Sequence, residues 1–276
     1  MQPFPLELPN VREIFQPDPG HYWCDADLSG ADAMVVAWDA DDDDLKAAFR
    51  AGLDIHSKNA EDLYGATFTR LQGRARHQFR QNNKRAVHAT NYLTTARNLA
   101  ASLGWLVIDA ERFMRRWFDL HPAILDWHKR KASQLRSRGF VDCAFGHRRI
   151  FYDRPESILP EAVAWTPQAT VALVTQYAIL ALEDHFLRHK LLNSRGQYFS
   201  QELNPYANFW RLQVHDSLDF QLTYLDFARQ ISTIGRIFHS IVVPYPDPLI
   251  IPWNLKISKS SWGEGRKCTW DGVIAD

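Results

Sequence analysis

A few carboxylates and one helical stripe hold the side chains of this sequence that could do chemistry. In CDADLSGAD, Asp25 and Asp27 share a face at the end of an apolar run, and Asp32 follows on the next helix turn. In RLQVHDSLDF, Asp216 lies in a His-Asp break between two stretches of alternating polarity, the pattern of a β-hairpin without the usual glycine. Two carboxylates brought together from separate strands repel unless a cation joins them. All-oxygen donors suit Mg²⁺, which takes one or two carboxylates and completes its shell with water and phosphate. Aspartates at strand ends are also ordinary turn formers, and these residues alone leave both readings open.

In RQNNKRAVHATNY, Arg80, Lys84, His88 and Tyr92 recur every four residues. Each such step drifts only ~40° around a helix, so the four form one slowly winding stripe. A stripe of this kind can hold a triphosphate on its cations while an aromatic ring packs against the sugar or base. His56, in DIHSK at a helix start, is a further phosphate donor. Metal-binding carboxylates and a cationic helix are the equipment for nucleotidyl transfer, where positioning and charge neutralisation do most of the catalysis.

The charge distribution agrees. Formal net charge is zero, yet no acidic residue occurs between Asp62 and Asp109, an interval that holds Arg70, Arg74, Arg76, Arg80, Lys84, Arg85 and Arg97. Asp39 and Asp41 to Asp44 cluster before it. A polyanion would feel that basic tract, since salt screens each charge within roughly 8 Å. A solvated helix face is the plain alternative.

The elements that must position these residues follow from periodicity. GHYWCDADLSG reads as a buried strand, and segments 31–38, 41–52 and 55–65 read as helices. Residues 78–93 and 94–104 form two more helices around a break, 111–121 and 122–139 a helical pair with Pro122 in a first-turn position, and 140–153 a hairpin around Gly146. A long helix is expected from Pro167 to about Leu192, then a polar loop, the hairpin bearing Asp216, a helix near 224–239 and an extended tail. The mix is α+β, mostly helical with a small antiparallel sheet. With 276 residues, 46% hydrophobic and 23% charged, the chain can bury a core as one large domain or two small ones. No apolar run of about eighteen residues is present, so no membrane span is expected, and the N-terminus lacks a signal-peptide layout. Cys24, Cys143 and Cys268 are too few and too scattered for a zinc knuckle or disulfide framework, which points to a reduced, cytoplasmic setting. His185 and His189 read as a solvated helix face, Asp219 as structural and Asp25 as a turn residue.

The sequence resembles the palm-and-fingers half of family A DNA polymerases, the group of bacterial DNA polymerase I and many phage replicases. DADLSGAD resembles motif A, RQNNKRAVHATNY motif B and LQVHDSLDF motif C, while DIHSKNAEDLYG, FGHRRIF and TPQATVA are similar to intervening family segments. The resemblance implies a palm in two parts, residues 1–54 and 140–276, with helical fingers inserted at 55–139. It leaves a thumb and exonuclease domain absent, to be supplied by a separate polypeptide if the gene is split. It implies a DNA-directed DNA polymerase that adds a dNTP to a primer 3′-OH on a primer-template with two Mg²⁺ ions, in a bacterial or phage-infected cell. Asp27, Asp216 and the Leu28 carbonyl would bear the metals. His56, Arg80 and Lys84 would grip the triphosphate, Lys84 also being a candidate to protonate the leaving pyrophosphate. Tyr92 would close over the nascent pair, with His88 and Asp32 near the sugar. Gln168 and His215 would read the primer-end minor groove, and Arg148 or Arg149 the DNA backbone.

Several positions depart from the family pattern and suggest a divergent phage-type member. Asp32 stands for Glu, His88 for Phe or Tyr, Ser217 for the Glu after motif C, and Leu93 for Gly. The other readings are a single-subunit RNA polymerase-like enzyme and a non-catalytic DNA-binding or assembly subunit from a decayed gene.

Overall fold

The apolar run that ends in Asp27 folds as the middle strand of a five-stranded antiparallel sheet. The computed structural model describes residues 10–188 and 209–275. In chain order the first elements are β1 (His21–Leu28), α1 (Ala31–Ala40), α2 (Asp43–Arg50), α3 (Ile55–Tyr64), α4 (Ala66–Thr69), α5 (Gly73–Asn91) and α6 (Ala96–Leu103). They are followed by α7 (Val107–Leu120), α8 (Pro122–Arg138), β2 (Phe140–Asp142), β3 (Arg148–Ile150) and α9 (Pro155–Arg188). The last elements are β4 (Trp210–Val214), β5 (Ser217–Thr223), α10 (Phe227–Phe238), β6 (Trp253–Ser258) and β7 (Arg266–Cys268).

Two units divide these elements: residues 1–29, 172–242 and 250–276 in one, and 30–171 with 243–249 in the other. The first is built on the sheet, in the order β4-β5-β1-β6-β7. Its central strand has neighbours on both edges, and Trp23, Cys24, Asp25 and Ala26 are all buried. α10 lays Phe227, Ile231, Ile234 and Phe238 inward at helical spacing, with the Phe238 ring 6.3 Å from Phe220 of β5. Gly235 on that helix is required by close approach, because a Cβ there would come within 2.7 Å of the Trp270 ring.

The second unit is helical, and the acidic cluster at 39–44 is consumed inside it. Asp41 closes α1 in a left-handed conformation (φ 62°), and Asp42 caps α2 by accepting from the Leu45 N–H at 2.9 Å. Buried Asp42 also meets His121 Nδ1 at 2.9 Å, while Asp39 accepts from Trp127 Nε1 at 2.7 Å and pairs with Lys131 at 3.0 Å. These contacts tie α1 and α2 to α8. The hairpin β2–β3 joins them, since Leu135, Val141, Ile158 and Ala162 make one apolar cluster. The compact units therefore divide elsewhere than at 54 and 139, and segments 30–54 and 140–171 pack with the helices.

Three helices start earlier than their sequence signals, α7 at Val107 where the signal begins at 111. α5 begins at Gly73, because Phe79 packs edge-on against Tyr64 at 4.8 Å and Arg76 lies 4.3 Å over the Phe68 ring. α9 begins at Pro155 and runs through Pro160 and Pro167, although an interior proline removes a helix hydrogen bond. Burial of Ile158, Ala162, Val163 and Val174 along it outweighs that local cost. The polar loop expected at 193–208, the helix end at 189–192 and His189 lie outside the described residues.

The end of α5 explains the Leu93 departure in physical terms. The Leu93 N–H donates to the Thr90 carbonyl and the Thr94 N–H to the Ala89 carbonyl, both at 3.1 Å, with Leu93 at φ 59°. This is a Schellman closure whose left-handed residue is normally glycine. A leucine there is strained, so Leu93→Gly is expected to raise stability by about 1 kcal/mol. A denaturant midpoint that fails to rise would show that burial of the leucine side chain outweighs the strain.

Candidate active site

Antiparallel pairing of β1 with β5 sets Asp27 opposite Ser217. Asp216 is the residue before that pair, in the turn, and its carbonyl accepts from the Leu28 N–H at 3.2 Å. The acid of motif C and the acid of motif A thus stand at diagonal positions at one end of adjacent strands. The turn itself is two residues long, with Val214 paired to Ser217. His215 alone of the two has positive φ, at 55°. Histidine is among the few residue types enriched in that region, so the hairpin closes without glycine. His215 is exposed and Asp27 and Asp216 are half-buried.

A second pair of acids lies deeper in the sheet, where the sequence pattern suggested a turn residue and a structural one. Asp25 is mid-strand, not in a turn, and faces Asp219 across the β1–β5 ladder. Asp25 accepts from Ser217 Oγ at 3.1 Å and Trp262 Nε1 at 3.2 Å, and Asp219 accepts from Trp23 Nε1 at 2.8 Å. Ser217, where the family usually has Glu, is a buried donor holding this pair. Burial, and after it the Asp25 carboxylate, push the Asp219 carboxyl up to about 7 against the Trp23 hydrogen bond. Between pH about 4 and about 7 the folded chain keeps a proton that the unfolded chain has released, so this group's contribution to stability falls as pH rises through that window. Asp219→Asn keeps the acceptor for Trp23 and offers Asp25 a donor. It is expected to melt higher than the parent at pH 8, by the equivalent of about 1–3 kcal/mol, with the gap shrinking toward pH 5. A gap independent of pH would remove the account of a protonated Asp219.

The helical unit carries the cationic stripe. Asn83, Ala86, Val87 and Thr90 are buried on one side of α5, and Lys84 and His88 are exposed on the other. The far end of α5 is anchored by Asn91, whose Oδ1 accepts from Trp117 Nε1 and whose carbonyl meets His128 Nε2, both at 2.8 Å. That fixes Tyr92 as the helix cap, its ring 4.5 Å from His88 and nearly perpendicular to it. Burial raises the Tyr92 phenol well above its ordinary range, and the Asp32 carboxylate beside it adds to the effect. Loss of hydration and the Lys84 ammonium lower the His88 imidazole, against the pull of Asp32. Asp32, His88 and Tyr92 therefore form one local group.

Arg80 has a partner that the sequence reading missed. Its guanidinium forks onto Asp54, Nε and one terminal nitrogen each donating at 2.6 Å. The same Asp54 caps α3, accepting from the His56 N–H at 3.3 Å and Ser57 Oγ at 2.7 Å. Arg80 and Ser57 hold the Asp54 carboxyl far below the usual carboxylate range. Asp54 links α3 to α5 and so places His56 beside the stripe. Burial, then Lys84 and Arg80, lower His56 to about 4, so it is a neutral hydrogen-bond donor at pH 7. An aspartate just before a helix start was the available signal. Lys84, Arg70, Arg74 and Arg97 form no ion pair among the described residues, so the tract is only partly neutralised.

Elsewhere in this unit, Arg148 and Arg149 project from β3 and are both paired: Arg148 with Asp142 at 3.3 Å, and Arg149 with Glu161. Their guanidinium groups lie over the Phe140 and Phe151 rings, at 4.1 and 5.0 Å. Gln168 is exposed on α9. Of possible metal ligands, Asp27 and Asp216 offer hard oxygen donors, and among the described residues no group of three or more His, Cys, Asp or Glu gathers as a full cage. A two-carboxylate site suits Mg²⁺, whose remaining positions go to water and phosphate.

A mixed fold of helices and a small antiparallel sheet with acids at one strand end is the fold class of a polymerase domain. The fold matches that of the POL domain of Pol1 from M. smegmatis, solved in complex with DNA primer-template and dNTP, with a TM-score of 0.74 and 21% identity over 92% of this chain and 42% of that one. The family model described as DNA polymerase family A matches residues 2–258, and the chain belongs to that family. It is 30% identical to the thermostable DNA polymerase I of Thermus filiformis, over 97% of this chain and 30% of that protein. It is 26% identical to DNA polymerase I of Pseudomonas aeruginosa, over 93% of this chain and 26% of that protein. The chain thus spans between a quarter and a third of the length of these relatives. No helix among the described residues is long and apolar enough to cross a membrane.

Proposed function

We propose that this chain carries the nucleotidyl-transfer centre of a DNA polymerase, adding dNTPs to a primer 3′-OH on a primer-template. The observation that carries the reading is the adjacency of Asp27 and Asp216, fixed by the Asp27–Ser217 register and the Leu28-to-Asp216 hydrogen bond. In this reading the sheet unit is palm and the helices around α5 are fingers. Asp27 and Asp216, with the Leu28 carbonyl, would hold two Mg²⁺ ions. When bound, such ions supply charge neutralisation and activation of the attacking oxygen. Lys84 and Arg80 bind the triphosphate as cations, and neutral His56 donates a hydrogen bond to it. Lys84 would give its proton to the leaving pyrophosphate. His88, Tyr92 and Asp32 bound the sugar and base, while His215, Gln168, Arg148 and Arg149 contact the primer-template duplex.

Asp32 beside Tyr92 favours deoxyribose, since a carboxylate next to the phenol fills the space of a ribose 2′-hydroxyl and repels its lone pairs. Extension of a labelled primer by the full chain with dNTPs and, separately, rNTPs tests this. Incorporation of dNTPs is expected to exceed that of rNTPs by at least ~100-fold. Equal use of both would favour an RNA polymerase-like enzyme, and no extension a non-catalytic subunit.

A further inference from the structure

The face of α5 turned from the cationic stripe borders a cavity of about 440 Å³, lined by Tyr64, Phe79, Asn83, Trp105 and Phe113 with two arginines, Arg112 and Arg116. This volume lies in the range of small-molecule sites, which are mostly apolar with a few convergent polar groups. Four aromatic rings form the wall. Phe79 meets Tyr64 edge-on at 4.8 Å, Trp105 meets Phe113 edge-on at 5.6 Å, and Tyr64 and Phe113 lie within 29° of parallel. Two arginines stand at the rim, both exposed. Arg112 touches Asp109 at 3.1 Å, and Arg116 donates to the Asp62 carbonyl at 3.2 Å, so neither has a strong buried partner. Asn83 is 2% exposed, and its Nδ2 reaches the His56 carbonyl at 3.5 Å. Its Oδ1 has no donor among the described residues.

We propose that this cavity is a second binding site, distinct from the stripe of α5, for a planar heteroaromatic phosphate of the nucleoside monophosphate class. The rings take the base by stacking, which tolerates any base because each has a π-face. Asn83 Oδ1 accepts from an exocyclic amine, which selects bases that carry one. Arg112 and Arg116 take the phosphate, each as a fork matched to its oxygens. A simple apolar plug uses none of these polar groups, and an inorganic anion uses none of the rings.

Calorimetric titration of the full chain with dAMP tests the assignment, because a monophosphate lacks the triphosphate that the stripe would grip. Saturable binding is expected, weakened at least ~10-fold in the Arg112→Ala/Arg116→Ala double variant and unchanged in Lys84→Ala. Both arginines are exposed, so the double variant should fold, and an unchanged thermal melt confirms that. Inorganic phosphate and deoxyadenosine, titrated separately, should each bind more weakly than dAMP. Absence of saturable binding, or binding lost in Lys84→Ala and retained in the double variant, overturns the proposal without touching the reading of the catalytic centre. Binding of an acidic, apolar peptide in place of dAMP, abolished by the double variant, would reassign the cavity to a protein partner.

Discussion

Asp216→Ala is expected to lower primer extension by at least ~10⁴-fold while leaving primer-template affinity within about threefold of the parent. The size follows from the role assigned to the carboxylate. Losing ten-thousandfold in rate is about 5.5 kcal/mol of transition-state stabilisation, within the scope of a site that neutralises phosphoryl charge. Local structure should survive. The turn's contribution to the ladder is a backbone one, the Asp216 carbonyl accepting from Leu28. Its carboxylate has no ion pair or hydrogen bond among the described residues. A turn-forming aspartate would show the opposite pattern, a drop in melting temperature with activity retained in the folded fraction. Asp27→Ala should match Asp216→Ala in extension, and the double variant should lose little more, since two ligands acting as a unit are not additive. Extension surviving within tenfold of the parent would reject the assignment of the pair.

The placement of Asp27 and Asp216 was legible because strand period and register act locally. The apolar run opening HYWCDADL and the alternation on both sides of His215-Asp216 announced strands ending at those acids. Antiparallel pairing then needs only a sheet to bring their ends together. The stripe of α5 was legible for the same reason, since a helix repeat puts Arg80, Lys84, His88 and Tyr92 on one side wherever the helix packs. What could not be read was every choice that depends on a distant segment. Period two placed Asp25 and Asp27 on one face but did not say that Asp25 would be buried against Asp219, which is 194 residues away by number and opposite it in the sheet. Arg80 looked like a bare cation because Asp54 lies 26 residues earlier and reaches it only through packing of α3 on α5. The early start of α9 ran against the local signal, as proline argues for a boundary until an apolar face is buried against it. Leu93 read as a departure from a motif, and its meaning appeared only with its positive φ.

Lys84→Ala is expected to reduce kcat/KM for dNTP incorporation by roughly 10²–10³-fold, more than Arg80→Ala. Sequence treats the two cations alike, but the structure does not. Arg80 is already forked onto Asp54, so the pair brings little net charge, and a triphosphate must compete with that carboxylate for the guanidinium. Lys84 is exposed and carries no ion pair among the described residues, so its full charge is on offer. The lowered His56 imidazole is a separate sign of that uncompensated field, with Lys84 the largest cause after burial. Substitution by arginine separates the two duties proposed for the lysine. Lys84→Arg keeps a cation for the phosphates but cannot give up a proton at neutral pH. It should therefore hold KM near the parent value while kcat falls by about tenfold or more. If Lys84→Arg restores both constants, the lysine acts as a charge alone; if it restores neither while the chain folds, the ammonium's compact geometry is what the triphosphate needs. Asp54→Asn supplies the converse test. Freeing Arg80 should lower KM for dNTP if the pair is a competitor, and raise it if Asp54 chiefly positions the arginine and His56.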